Sequence, residues 1–188
     1  ANALYVSLER GSARGAGTKE APVKDIQKAI DLAPNGGVVC VAEGNYLGTL
    51  DRGWIEIKGK YVSIIGGFNH DFTERDPLKY VTKIQPTTQQ RGTIGMGLLM
   101  LECTSDMSKS MLIDGIFFDL GNYLEYCIAD PTDPRWGCPE GCETGRVKPI
   151  STPPNSAIRS IGGKFSGQLT IRNCMFTNSS FYGILLMN

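Results

Sequence analysis

Two aspartate pairs and one histidine are the residues of this chain whose types invite a chemical role. Asp114 with Asp119, and Asp130 with Asp133, lie near the ends of apolar runs or turns. Paired carboxylates can divide general acid and general base work between them. Against that stands turn chemistry: an aspartate beside a glycine, as in Asp114-Gly115, commonly bonds its own backbone. His70 is the single histidine. Flanked by Asn69 and Asp71 in a polar stretch, it reads as an exposed loop residue rather than a base. No nucleophile elbow, phosphate-cradling glycine loop or zinc-binding helix motif occurs. The sequence therefore assigns no catalytic residue and no metal ligand.

Aromatic side chains offer a second kind of chemistry, stacking on sugar rings. Trp54, Tyr61, Tyr123, Tyr126, Trp136 and Tyr182 are the candidates. Tyr123, Tyr126 and Trp136 share one irregular stretch and are the carbohydrate-binding candidates; the alternative is that they hold that stretch against the body. The same stretch carries Cys127, Cys138 and Cys142 in a polar, Pro-rich context, where a disulfide is expected with one of the three left over. Cys40, Cys103 and Cys174 sit inside apolar or alternating runs and read as small buried hydrophobes.

The elements that must position these residues are short. The chain has 188 residues, 19 basic and 19 acidic side chains, and 23 glycines. Its length suits one domain with a sizeable core. Balanced charge without a Lys/Arg cluster disfavours nucleic acid as a partner. No apolar run approaches the roughly 20 residues of a membrane-spanning helix. No signal peptide is visible, and Ala1-Asn2-Ala3 would suit a mature terminus after cleavage. Abundant glycine between short apolar runs favours a turn-rich β architecture.

Residues 17–46, GTKEAPVKDIQKAIDLAPNGGVVCVAEGNY, organise the rest. Ile26, Ala29, Ile30 and Ala33 share one helical face, Asp25 suits the cap, and Pro34-Asn35-Gly36-Gly37 stops the helix. Val38-Val39-Cys40-Val41 then reads as a buried strand. The stretch resembles the N-terminal part of right-handed parallel β-helix proteins of the pectate-lyase-like superfamily. Gly17, Thr18, Ala21, Pro22, Ile26, Gln27, Ala29, Ile30, Val39, Val41, Gly44 and Tyr46 carry the resemblance. A second segment similar to bacterial surface β-helices comprises Gly66, Gly67, Phe68, Asp71, Phe72, Arg75, Asp76 and Pro77. There Arg75 and Asp76 are expected to brace a loop that Phe68 and Phe72 pack down. The resemblance implies that the short helix caps the open N-terminal end of the solenoid.

A repeat supports the same fold from the residues alone. Val62-Ser63-Ile64-Ile65-Gly66, Met111-Leu112-Ile113-Asp114-Gly115 and Leu169-Thr170-Ile171-Arg172-Asn173 share one pattern, and Phe118 matches Phe176. Gly and Asn both tolerate the left-handed backbone of a tight bend. The three isoleucines should point inward and stack. Their offsets, 113 − 64 = 49 and 171 − 113 = 58, predict about two coils plus insertion each, since a coil of such a solenoid takes roughly two dozen residues.

The expectation is an all-β solenoid, a right-handed single-stranded parallel β-helix with a short N-terminal capping helix. Residues 1–36 supply strand, loop and helix; 37–120 and 156–188 supply coils; 121–155 form a cysteine-containing insertion. Function is expected to be that of a non-catalytic extracellular or cell-surface structural protein without a cofactor. The resemblance also implies alternatives. One is a polysaccharide lyase or glycoside hydrolase acting on an acidic polysaccharide, with Ca²⁺ in the lyase case. The other is a carbohydrate-binding or adhesive module. Residues 181–188 read as a strand with no cap after it. A further coil in a longer chain, or another copy in a filament, is expected to cover that end.

Overall fold

The computed structural model describes residues 3–48, 54–86, 97–103, 106–120, 156–179 and 182–186. Thirteen strands and one helix follow in chain order among them. The first strand, β1 (Ala3–Val6), precedes helix α1 (Ile26–Leu32). Then β2 (Val38–Ala42), β3 (Gly44–Leu47) and β4 (Ile55–Lys58) complete one circuit. The second circuit is β5 (Ser63–Phe68), β6 (Thr82–Gln85) and β7 (Gly97–Cys103). The third is β8 (Ser110–Asp114), β9 (Ile116–Asp119) and β10 (Ser156–Phe165). The fourth is β11 (Gln168–Arg172), β12 (Met175–Thr177) and β13 (Tyr182–Leu185).

Each circuit gives one strand to each of three sheets. Their orders are β1-β2-β5-β8-β11, β3-β6-β9-β12 and β4-β7-β10-β13. All named pairings are parallel. Parallel strands need crossover connections, and here the other two sheets of the coil supply them. The result is consistent with a parallel β-solenoid, as the sequence repeat predicts.

Inward side chains stack coil on coil. In the first sheet Leu4, Val39, Ile64, Ile113 and Ile171 occupy successive register positions. Ile64 and Ile113 are fully buried, and Ile171 packs half-buried against the same cluster. In the third sheet Ile55 meets Leu99, which meets Ile158. The coil count implied by the isoleucine offsets needs correction: Ile64 pairs directly with Ile113, and Ile113 with Ile171, so each offset is a single coil. The surplus residues lie between strands of one coil, not in additional coils. The compact spacing is Val39 to Ile64, a register pair 64 − 39 = 25 residues apart.

Helix α1 caps the stack as the resemblance implies. Asp25 accepts a hydrogen bond from the Lys28 N–H at 2.8 Å, satisfying a helix N-terminal donor. Ile26, Ala29 and Ile30 are buried against the first coil. Gln27 makes two bonds to the edge of β4: its Nε2 donates to the Glu56 carbonyl at 3.0 Å, and its Oε1 accepts from the Glu56 N–H at 2.8 Å. A side-chain amide thus stands where another strand would.

Candidate functional site: a bonded seam beside a lateral groove

The bend between the first and second sheets takes one residue in the first and third coils and two in the fourth, whereas in the second coil the loop 69–81 intervenes. In the third coil Gly115 makes the bend at φ +70°. In the fourth Asn173 does so at φ 51°, and Asn178 adopts φ 59° after β12. Both asparagines donate back to the coil before. Asn173 Nδ2 reaches Asp114 Oδ1 at 2.9 Å, and Asn178 Nδ2 reaches Asp119 Oδ1 at 2.8 Å. The two bonds repeat one device at both ends of β9.

Asp114 is the centre of the seam. Its side chain is 1% exposed, and it takes Arg75 Nη2 on Oδ1 and Arg172 Nε on Oδ2, each at 2.8 Å. Arg75 also donates from Nε to the Gly66 carbonyl at 3.0 Å and lies over the Phe68 ring. Three consecutive coils therefore meet on one carboxylate. Burial raises the Asp114 pKa, but the bonds from Asn173, Arg172 and Arg75 outweigh it, and the net direction is below the ordinary 3.8. A carboxylate held ionised, covered and engaged on both oxygens has no proton to give and little freedom to take one.

Asp119 is held similarly. Gln85 Nε2 donates to its Oδ2 at 2.8 Å, Thr177 Oγ1 lies 3.3 Å from Oδ1, and Lys83 Nζ stands 3.8 Å from Oδ2. Lys83 lies over the Phe117 ring at 4.8 Å. These two side chains belong to an outward row, Asn45–Lys83–Phe117–Met175, one residue from each coil of the second sheet. With Leu78 and Val81 from the loop alongside, the row lines a groove of about 910 Å³.

The remaining candidates fall elsewhere. His70 is not simply exposed: its Nε2 lies 2.9 Å from Glu9 and 3.6 Å from Glu43, and its Nδ1 is buried without a partner. Arg10 Nη1 donates to the His70 carbonyl at 3.2 Å and to Asp71 at 3.0 Å. These contacts pin the loop to the N-terminal segment. Tyr61 is not a surface aromatic. It is buried, and its hydroxyl donates to the Ser166 carbonyl at 2.8 Å. Trp54 is half-buried and Tyr182 is exposed. Asp76 accepts from the Leu78 and Lys79 N–H groups, a turn role, while Phe68 and Phe72 stand 6.0 Å apart beside Tyr5.

Tyr123, Tyr126, Trp136, Cys127, Cys138, Cys142, Asp130 and Asp133 lie outside the described residues. Cys40, Cys103 and Cys174 are free thiols, and burial pushes the Cys103 thiol up to about 11. Among the described residues, no group of three or more His, Cys, Asp or Glu is placed to hold a metal ion. No described helix is long and apolar enough to cross a membrane.

Sequence reasoning found Asp114, Asp119 and Arg75 but missed Asn173 and Asn178 as their donors. The available signal was the alignment of Asp114-Gly115 with Arg172-Asn173, which put an amide where the bend needs a left-handed residue. Residues 10–70 match the model of a family described as "Protein of unknown function (DUF1565)". No curated protein and no solved structure matches the chain.

Proposed function

We propose that this chain is a non-catalytic structural scaffold of the extracellular space or cell surface, built as a right-handed parallel β-helix. The observation that carries the reading is the saturation of Asp114. Arg75, Arg172 and Asn173 fill its oxygens from the coils before and after it. Carboxylates kept for acid–base work are instead left in reach of substrate with a poised pKa. Asp114, the most deeply buried carboxylate among the described residues, fastens coils together. The cysteine-bearing stretch 121–155 agrees with an oxidising compartment.

The test is an assay of polygalacturonate, with and without Ca²⁺, for unsaturated and reducing ends. Wild type and Asp114→Asn should be indistinguishable from buffer. Product release by wild type that Asp114→Asn or Asp119→Asn abolishes would overturn the reading in favour of a lyase or hydrolase.

A second reading, a carbohydrate-binding or adhesive module, draws support from the groove. Phe117 contributes a ring to its lining, with Lys83 on one side along the row and Asn45 beyond it. Binding to a polysaccharide that Phe117→Ala abolishes would favour this reading.

A further inference from the structure

The loop between β5 and β6 lies over the outer face of the first sheet. Val39 points into the core, so Cys40, next along β2, points out of it. There the loop sets Phe72 down. Cys40, Ala42 and Phe72 form a buried apolar cluster separate from the main core, with Tyr5, Val38 and Phe68 packed around it. The Phe72 ring meets Tyr5 edge-on at 4.9 Å. The neck of the loop is closed by an antiparallel bridge between Phe68 and Arg75. Beside it the Asn69 N–H donates to the Glu74 carbonyl at 3.1 Å, and the Asp76 N–H to the Gly67 carbonyl at 2.7 Å. The Asn69 side chain also accepts from the Thr73 and Glu74 N–H groups, so residues 69–74 hold their own shape.

The tip of this loop is held down weakly. Phe72 keeps φ at 57°, a left-handed backbone that a ring-bearing L residue adopts only under strain. His70 Nδ1 is buried without a partner, and lifting the tip returns it to water. The polar contacts from the tip to the N-terminal segment are Asp71 with Arg10 at 3.0 Å and His70 with Glu9 at 2.9 Å. Their carboxylates are 70% and 66% exposed, and pairs so open to water contribute little. Burial of the Phe72 ring is the main term that keeps the tip closed. Because the cluster under it is separate, lifting the tip takes nothing from the main core.

We propose that residues 69–74 form a flap that opens on its own, turning at the Phe68–Arg75 bridge and uncovering Cys40 and the outer face of β2 while the three sheets stay folded. The asymmetry of its anchors sets the hinge. Behind the bridge, Arg75 sits on the buried Asp114 carboxylate at 2.8 Å, and Asp76 holds the Leu78 and Lys79 N–H groups. Ahead of it stand only the Phe72 ring and the exposed pairs. Segments held by few buried contacts open locally at a free energy well below that of global unfolding. The open flap presents an apolar patch of Tyr5, Val38 and Phe72 beside a thiol. Burial pushes the Cys40 thiol above its ordinary value while it is covered, and the thiolate is the reactive form. The flap therefore gates the reactivity of Cys40.

Native-state labelling of the full chain with a maleimide tests this, with the modified sites read by peptide mass mapping. Cys103, fully buried inside the stack, is the internal reference. Expected is slow modification of Cys40 at a rate nearly independent of low denaturant, because the flap uncovers little surface, while Cys103 follows the steep denaturant dependence of global unfolding. Ile113→Val weakens the main core, which the flap does not touch. It should speed Cys103 severalfold and leave Cys40 as it was. Arg10→Ala removes the contacts to Asp71 and the His70 carbonyl, and should speed Cys40 about two- to fivefold. Cys40 tracking Cys103 in denaturant or in Ile113→Val would show that only global unfolding uncovers it. Cys40 reacting as fast as a thiol in a short peptide would show that nothing covers it. Either result, or a Cys40 rate indifferent to Arg10→Ala, would overturn the proposal.

Discussion

Phe118 and Phe176 lie face to face on adjacent coils, ring centroids 5.4 Å apart and planes 2° from parallel. Their main chains are register partners in β9 and β12, so parallel pairing imposes the stack. Only Phe118 is fully buried. Phe118→Ala should cost about 3–5 kcal/mol, and Phe176→Ala clearly less. A double-mutant cycle by denaturant unfolding should return a coupling of about 0.5–1.5 kcal/mol. Equal losses for the two substitutions would contradict the partial burial of Phe176.

Gly115 combines a left-handed backbone with crowding. A Cβ there would lie 2.9 Å from Arg75 Nη2, the Gly66 carbonyl oxygen and Pro77 Cγ. Gly36 has φ +81° and nothing within 4 Å, so Gly36→Ala isolates the backbone contribution, about 1–2 kcal/mol. Gly115→Ala should lose at least that much again, because Arg75 must leave its position on Asp114. Unfolding midpoints for the two variants check the difference; equal shifts would show the seam to be slack.

Much of this was legible in the sequence. The Val62–Gly66, Met111–Gly115 and Leu169–Asn173 repeats mark one sheet, because inward aliphatic residues and a left-handed bend recur wherever coils stack. The number of coils between them was not legible. Residues leaving the stack between strands look, by length, like residues forming another coil. The partners of Asp114 were hidden for a related reason: Arg75, Asn173 and Asp114 lie on three coils, and only the register brings them together. His70 was misread because its neighbours in sequence are polar, whereas its contacts come from Glu9 and Glu43.

Acid should loosen the seam. The folded pKa of Asp114 lies below its ordinary 3.8, so the unfolded chain binds the proton more readily. Its contribution to stability is then present above about pH 4 and is lost as pH falls through the folded value. Stability measured from neutral pH downward should fall in that acid window more steeply for wild type than for Asp114→Asn. Parallel curves would show that Asp114 titrates alike in both states.

The most direct measurement is the unfolding free energy of Asp114→Asn at neutral pH. If Asp114 fastens three coils, the substitution leaves Arg75 and Arg172 without their carboxylate and should cost about 1–3 kcal/mol. Residues kept for activity behave oppositely, since replacing them commonly leaves stability unchanged or raises it. A loss of that size is the result predicted for a structural scaffold. An unchanged or more stable Asp114→Asn protein would contradict it.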